Sequence, residues 1–155
     1  MKNSKRFLAL SVASLAGLVV AANLWAGNFT VNSEADTGDF SAGDGFCDTN
    51  DSANNGPCTL RAAIRESNAS GEADIITLPA GTYAIGGTFP CDDSDNSPIG
   101  DFDIQSDLTI NGAGAATTIV DGSGLDRVFD INGEEGAISV TLRGLTVRNG
   151  FANQC

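Results

Sequence analysis

Ile110-Asn111-Gly112 recurs 21 residues later as Ile131-Asn132-Gly133, and Leu108-Thr109-Ile110 recurs as Leu145-Thr146-Val147. A short strand closed by an Asn/Gly turn and repeated imperfectly every ~20 residues is the pattern of a solenoid. One such unit cannot bury its inner face alone, so it must stack on neighbours, and the first coil leaves an open apolar end. From residue 73 onward the chain keeps this habit. "DIITLPAGTYAI" reads as strand, turn and strand, and "DFDIQSDLTINGAG" alternates Phe102, Ile104, Leu108 and Ile110 with polar residues. Further strands of three to six residues end in Gly or Asn-Gly turns, and Phe102 and Phe129 take alternating positions that suit a core. The rival architecture is a β-sandwich with one helix, whose usual strand spacing fits the recurrence less well.

Only "CTLRAAIRESNAS", residues 58–70, reads as a helix. Thr59 can cap its start and Gly71 its end, giving a helix over 59–69. Leu60, Ala63, Ile64 and Ser67 fall at i, i+3, i+4 and i+7 and form one narrow apolar face. Two to three turns do not persist in isolation, so packing must hold them. The helix immediately precedes the first strand-rich unit, and the expectation is a plug in which Thr59, Leu60 and Ile64 cap the first coil. Arg61 and Arg65 lie one turn apart on one face. They can grip a carboxylate ligand or a polysaccharide, or more simply hold the plug against acidic loops.

The first 26 residues place Lys2, Lys5 and Arg6 ahead of a short apolar run and end in small residues. This is an export signal, with cleavage expected after Ala26 or, second, after Ala22. The remainder holds five basic and twenty acidic residues, a net charge of −15, and no Lys or His. Such a field repels nucleic acid and anionic lipid and favours cations. It also keeps an exported, Gly-rich chain soluble. Once the signal is removed, no segment is expected to span a membrane. About 130 residues suffice for one domain. It divides into an N-terminal cap over 27–72, comprising a polar cysteine loop and the helix, and the coils over 73–155. Cys47, Cys58, Cys91 and Cys155 read as disulfides, since no CxxC exists and zinc would lack histidine. Three pairings are open. Cys47 with Cys58 and Cys91 with Cys155 is preferred, because the first pair brackets the polar loop.

"DGFCDTNDSANNGPCTLRAAIRESNA", "IITLPAGTYAI", "GDFDIQSDLTINGAGAATTIVDGSGLDRVFDI" and "VTLRGLTVRNG", in that order, resemble the N-terminal region of bacterial exported proteins named for a CSLREA motif. The resemblance covers nearly all of residues 29–150. It implies an all-β chain that opens a right-handed parallel β-helix, related to pectate-lyase-like and polymorphic outer-membrane proteins and usually standing at the start of a longer chain. Two departures stand out. Where the family has Ser-Leu-Arg-Glu-Ala this chain has Thr59-Leu60-Arg61-Ala62-Ala63, so only the Thr59 half of a reciprocal capping box can form. Restoring Glu at position 62 is therefore expected to stabilise the helix. The chain also ends at Cys155, after the first coils only, so truncation is expected, or pairing of the open C-terminal coil with another chain.

Carboxylates are the abundant reactive groups. Asp92, Asp93, Asp95, Asp101 and Asp103 form one candidate calcium cluster, and Asp44, Asp48 and Asp51 a second. The second is not an EF-hand loop, since counting from Asp48 puts Ala53 sixth and Thr59 twelfth. The blander reading of both is solvated turns. No carboxylate pair is marked for glycoside hydrolysis. A lyase in this fold class sets a basic residue beside calcium, and Arg127, Arg143 and Arg148 qualify by type, though ion pairing with nearby Asp is the simpler role. There is no GxSxG, "GAGAAT" lacks the context of a dinucleotide fingerprint, and exposed aromatic platforms for sugars are wanting. The Asn28, Asn50 and Asn68 sequons read as chance in a bacterial-type chain. The expected protein is thus a secreted or cell-envelope structural or adhesive module. It is non-catalytic and has calcium as its candidate cofactor and an extracellular glycan or surface protein as its partner. The alternative is the N-terminal fragment of a polysaccharide lyase or glycoside hydrolase.

Overall fold

The computed structural model describes residues 26–50, 55–86, 99–133 and 136–152. Residues 1–25 of the expected signal peptide, Asp51, Asp92, Asp93, Asp95, Cys91 and Cys155 lie outside them. The chain runs through β1 (Asn28–Thr30), α1 (Leu60–Ser70), β2 (Asp74–Leu78), β3 (Gly81–Ala84), β4 (Phe102–Ile104), β5 (Leu108–Gly112), β6 (Thr118–Asp121), β7 (Phe129–Ile131), β8 (Val140–Arg143) and β9 (Thr146–Arg148). These strands form three all-parallel sheets, in the orders β1-β2-β5-β8, β3-β6-β9 and β4-β7. Each turn of the chain visits all three sheets before stacking on itself, the arrangement of a parallel β-helix. One coil is β2-β3-β4, the next β5-β6-β7, and the third begins with β8-β9.

The coil period differs from the ~20-residue echo. Asp74 pairs with Leu108 and Leu108 with Val140, 34 and 32 residues apart, while Phe102 pairs with Phe129, 27 apart. Ile110 belongs to the first sheet and Ile131 to the third, so the recurring Ile-Asn-Gly does not stack. Leu108-Thr109-Ile110 and Leu145-Thr146-Val147 likewise feed different sheets. The echo records strand-then-turn chemistry, which every side of the coil shares. The repeat that marks the coil is Phe102-Asp103-Ile104 over Phe129-Asp130-Ile131, matched residue for residue.

Inward side chains stack in ladders. Ile76 lies over Ile110 and then Leu142, Tyr83 over Val120 and then Val147, and Ile104 over Ile131. The first two coils of each ladder are sealed apart from Ile131, and together with Phe29, Leu60, Ala63 and Ile64 they make the core. Turns between the first and second sheets come close enough that a Cβ on Gly112 would collide with the Gly144 carbonyl, and Gly144 itself sits at φ 65°. A side chain is excluded there.

The helix forms as expected. Thr59 Oγ1 accepts the Ala62 N–H at 3.0 Å, and Gly71 ends the helix in the left-handed conformation at φ 67°. Leu60, Ala63, Ile64 and Ser67 are buried as the periodicity requires, but so are Arg61, Ala62 and Glu66. One narrow apolar face is therefore not the whole account. The loop before the helix, tied by the Cys47–Cys58 disulfide, folds over its outer side. Its Asp36 pairs with Arg61 Nε at 2.6 Å, its Asp39 carbonyl accepts from Arg65, and the Glu66 carboxylate accepts N–H bonds from Gly43 and Gly45. Ala62 is 0% exposed, so the expected gain from Glu at that position reverses: a carboxyl there enters a packed interface.

The plug also saturates a strand edge. Within its sheet β4 has a neighbour on one side only, β7. On its other side Arg61 donates to the Gly100 and Asp101 carbonyls at 2.6 and 2.9 Å. Asn68 Nδ2 donates to the Asp103 carbonyl at 2.8 Å, and its Oδ1 accepts the Gln105 N–H at 2.9 Å. The Asn68 amide thus imitates one residue of a missing strand. The Arg61 guanidinium also lies 4.7 Å from the Phe102 ring centroid, a cation–π contact.

Candidate metal centre

Asp103 and Asp130 are register partners on β4 and β7. Like charges directly opposed across a strand pair are destabilising, so the pair needs compensation. Asp101 stands two residues before Asp103, which puts it on the same side of the strand. Carboxylate oxygens of Asp101, Asp103 and Asp130 lie within 4.8 Å of one another. Asp101 and Asp103 are buried and Asp130 is half-buried at the open side. Oxygens on one bound cation stand within about 5 Å of each other, so this oxygen-only group can hold a metal ion.

Asp101 is the anomalous member. It is 0% exposed, and neither carboxylate oxygen makes a directional hydrogen bond. Arg127 Nε nevertheless lies 2.9 Å from Asp101 Oδ2. The two observations agree if the contact is an ion pair in which the N–H is misaligned, close in distance and poor in angle. Burial pushes the Asp101 carboxyl up to about 6, against the pull of Arg127 and with the help of Asp103, Asp126 and Asp130. The same guanidinium reaches Asp130 Oδ2 through Nη1 at 3.5 Å, and its side chain is 36% exposed. The Arg127 backbone is anchored separately, its N–H donating to Asp126 Oδ1 at 2.7 Å.

Of the aspartates proposed from sequence, Asp101 and Asp103 come together here. Asp130 was missed. The Phe-Asp-Ile repeat at 102–104 and 129–131 was the signal that could have found it. In the second proposed cluster, Asp44 Oδ1 accepts the Phe46 N–H at 2.9 Å, and the Asp48 backbone is tied to Asp39 and Phe40. Asp39 and Asp44 are thus spent on the loop's own turns, and burial raises the Asp39 carboxyl. Among the arginines, Arg127 and Arg148 pair with aspartates as expected, Arg148 with its register partner Asp121 at 2.8 Å. Arg143 instead bonds its register partner Asn111. Arg61 is consumed by Asp36 and the β4 edge, leaving it nothing for an external carboxylate. Among the described residues no helix is long and apolar enough to cross a membrane.

Comparison of this chain with protein-family models, with curated proteins and with solved structures gives no match.

Proposed function

We propose that this chain is an exported, non-catalytic structural module of the cell envelope: the helix-capped start of a right-handed parallel β-helix, on whose last coil a further β-coil stacks, with calcium as the ion of its aspartate centre. The observation that carries this reading is the fate of the inward ladders. Ile104 is 0% exposed and its partner Ile131 49%, while Val120 is 0% exposed and its partner Val147 45%. Inward apolar positions on three parallel strand edges match the underside of another coil in both hydrogen bonding and shape. A rigid stack with an acidic flank suits the presentation of a surface to cations, glycans or other envelope proteins. The Cys47–Cys58 disulfide agrees with an oxidising compartment.

Duplicating residues 108–139 in tandem tests the stacking. A module built to start a stack accepts the extra coil, stays soluble and unfolds at a higher temperature. An aggregated or less stable product would overturn the reading. A second reading, the N-terminal part of a polysaccharide lyase, is favoured by one arrangement: Arg127 stands beside carboxylates able to hold calcium. Release of unsaturated ends from acidic or neutral polysaccharides with calcium present, abolished by Arg127→Gln, would establish the lyase and displace the structural role.

A further inference from the structure

We infer that Arg127 is the resident counter-ion of the Asp101–Asp103–Asp130 centre and that a divalent cation enters by displacing it. The inference rests on the cation-binding reading above and adds to it how the site is filled and emptied. Three carboxyl groups converge on one point, two of them opposed in register on adjacent coils. The guanidinium straddles two of them, 2.9 Å from Asp101 and 3.5 Å from Asp130. A well-formed arginine–carboxylate pair uses two parallel, aligned bonds at about 2.7–2.9 Å, and this contact is not of that kind. Asp101 is the second, independent observation. Sealed from solvent, it has no directional hydrogen bond to either oxygen, and beyond the misaligned Arg127 contact at Oδ2 its acceptor capacity is unspent beside the centre.

Arg127 is built to leave. Its backbone is pinned by Asp126, while the half-exposed side chain borders an open groove lined also by Phe129, Val147 and Phe151. That groove is the space open to the side chain when it leaves the centre, and Arg148 lines it as well. The two cations compete: an ion bound to the Asp101 oxygens would share them with a positive charge at contact distance. Exchange also improves the charge match, since one positive charge against three negative becomes two against three. Calcium is the class of ion expected, for its tolerance of irregular oxygen sets and its abundance outside cells. The freed guanidinium then belongs to the groove beside the last coil, so filling the centre changes the charge of the surface on which a further coil would stack.

The test uses the chain without its signal, with calcium chloride as the probe. Isothermal titration is run on wild type, Arg127→Gln and the Arg127→Gln/Asp130→Asn double variant, and the arginine Nε signals are followed by NMR. The expected result is at least about tenfold tighter calcium binding by Arg127→Gln than by wild type. The Arg127 Nε signal should move to the position of free arginine as wild type saturates, while the Arg61 signal stays in place. Asp130→Asn should remove the binding gained. Binding by Arg127→Gln alone also supports the inference, with the arginine simply outcompeting the ion. Equal affinities, or an Arg127 signal that does not move at saturation, would overturn the exchange while leaving calcium binding intact. Gained binding that survives Asp130→Asn would place the ion elsewhere and overturn it too. No binding by any form up to about 10 mM, above the ~1 mM of weak extracellular sites, would sink both the calcium reading and the exchange.

Discussion

The two ends of the coil stack continue the same ladders of inward side chains and meet opposite fates. At the first coil the exposed edge of β4 is answered by Arg61 and Asn68, and the helix that brings them is wrapped by a disulfide-tied loop. At the last coil, Val140-Thr141-Leu142 and Thr146-Val147-Arg148 repeat the register of Leu108-Thr109-Ile110 and Ile119-Val120-Asp121, yet Val147 is 45% exposed. Position in a ladder sets which way a side chain points, and the next layer decides whether pointing inward means burial. The capped end is held by polar groups as much as by apolar ones. That makes it the less tolerant of the two, because an unpaired buried charge costs more than a trimmed methyl group.

The sharpest way to break this contrast is to remove one arginine from each end. Arg61→Ala leaves Asp36 without its ion pair and two carbonyls unsatisfied, and should cost about 3–5 kcal/mol in chemical denaturation. Arg148→Ala removes a pair whose arginine side chain is 47% exposed, and should cost under about 1 kcal/mol. Comparable losses would mean that the two ends are equally sealed. A second contrast lies within one ladder. Ile104→Ala opens a cavity at a fully buried site and should cost about 3 kcal/mol, against about 1 kcal/mol or less for its half-exposed partner in Ile131→Ala. Equal costs would show that Ile131 is covered in solution.

Acid should act on the two ends in opposite directions. Burial holds the Glu66 carboxyl above its usual range, against the N–H bonds of Gly43 and Gly45 and with the repulsion of Asp39 and Asp44. A folded-state pKa raised above the unfolded value means stability that is complete at low pH and is lost as pH rises through the folded pKa. Asp121, near the open end, is held below its usual range, by the Ser123 N–H first and then by Asn149 and Arg148. Its contribution is present above the ordinary aspartate value of about 3.9 and fades as pH falls towards its lowered folded pKa. Mild acidification from neutral pH should therefore narrow the stability gap between wild type and Asp121→Asn only below about pH 4, while Glu66→Gln removes a gain on acidification that wild type shows at higher pH. Thermal unfolding of the three proteins across that range checks both signs. Identical profiles for wild type and Glu66→Gln would refute the first.

Local chemistry was legible in the sequence and stacking was not. Thr59, Gly71 and the spacing of Leu60, Ala63 and Ile64 predicted the helix to within one residue, because capping and periodicity act over a few bonds. Cys47 with Cys58 was legible for the same reason, as a pair enclosing a short polar loop. The coil period was misread because Ile-Asn-Gly marks any strand entering a turn, whichever side of the coil it lies on. Phe-Asp-Ile, repeated 27 residues apart, carried the true register and with it Asp130 of the candidate centre. The burial of Arg61 and Glu66 was not legible. Their partners, Asp36, Gly43, Gly45, Gly100 and Asp101, lie 21 to 40 residues away and become neighbours only once the loop has folded over the helix and the helix has docked on the β4 edge.

That loop also decides the smallest of the contrasts. In the resembling family an acid stands three residues after the cap, and in a solvent-facing helix its return would add a second capping bond worth about 1 kcal/mol. Here position 62 is wholly buried, and Glu66 already takes up the nearby Gly43 and Gly45 N–H groups. Ala62→Glu must therefore desolvate a carboxyl for one bond, and the balance should fall about 1 kcal/mol on the destabilising side. Thr141→Glu, exposed on β8 at the open end, should stay within about 0.5 kcal/mol of wild type. If Ala62→Glu instead unfolds at the same or a higher temperature, the loop yields to admit the new side chain. The capped end would then owe its rigidity to the ion pairs of Arg61 rather than to close packing around Ala62.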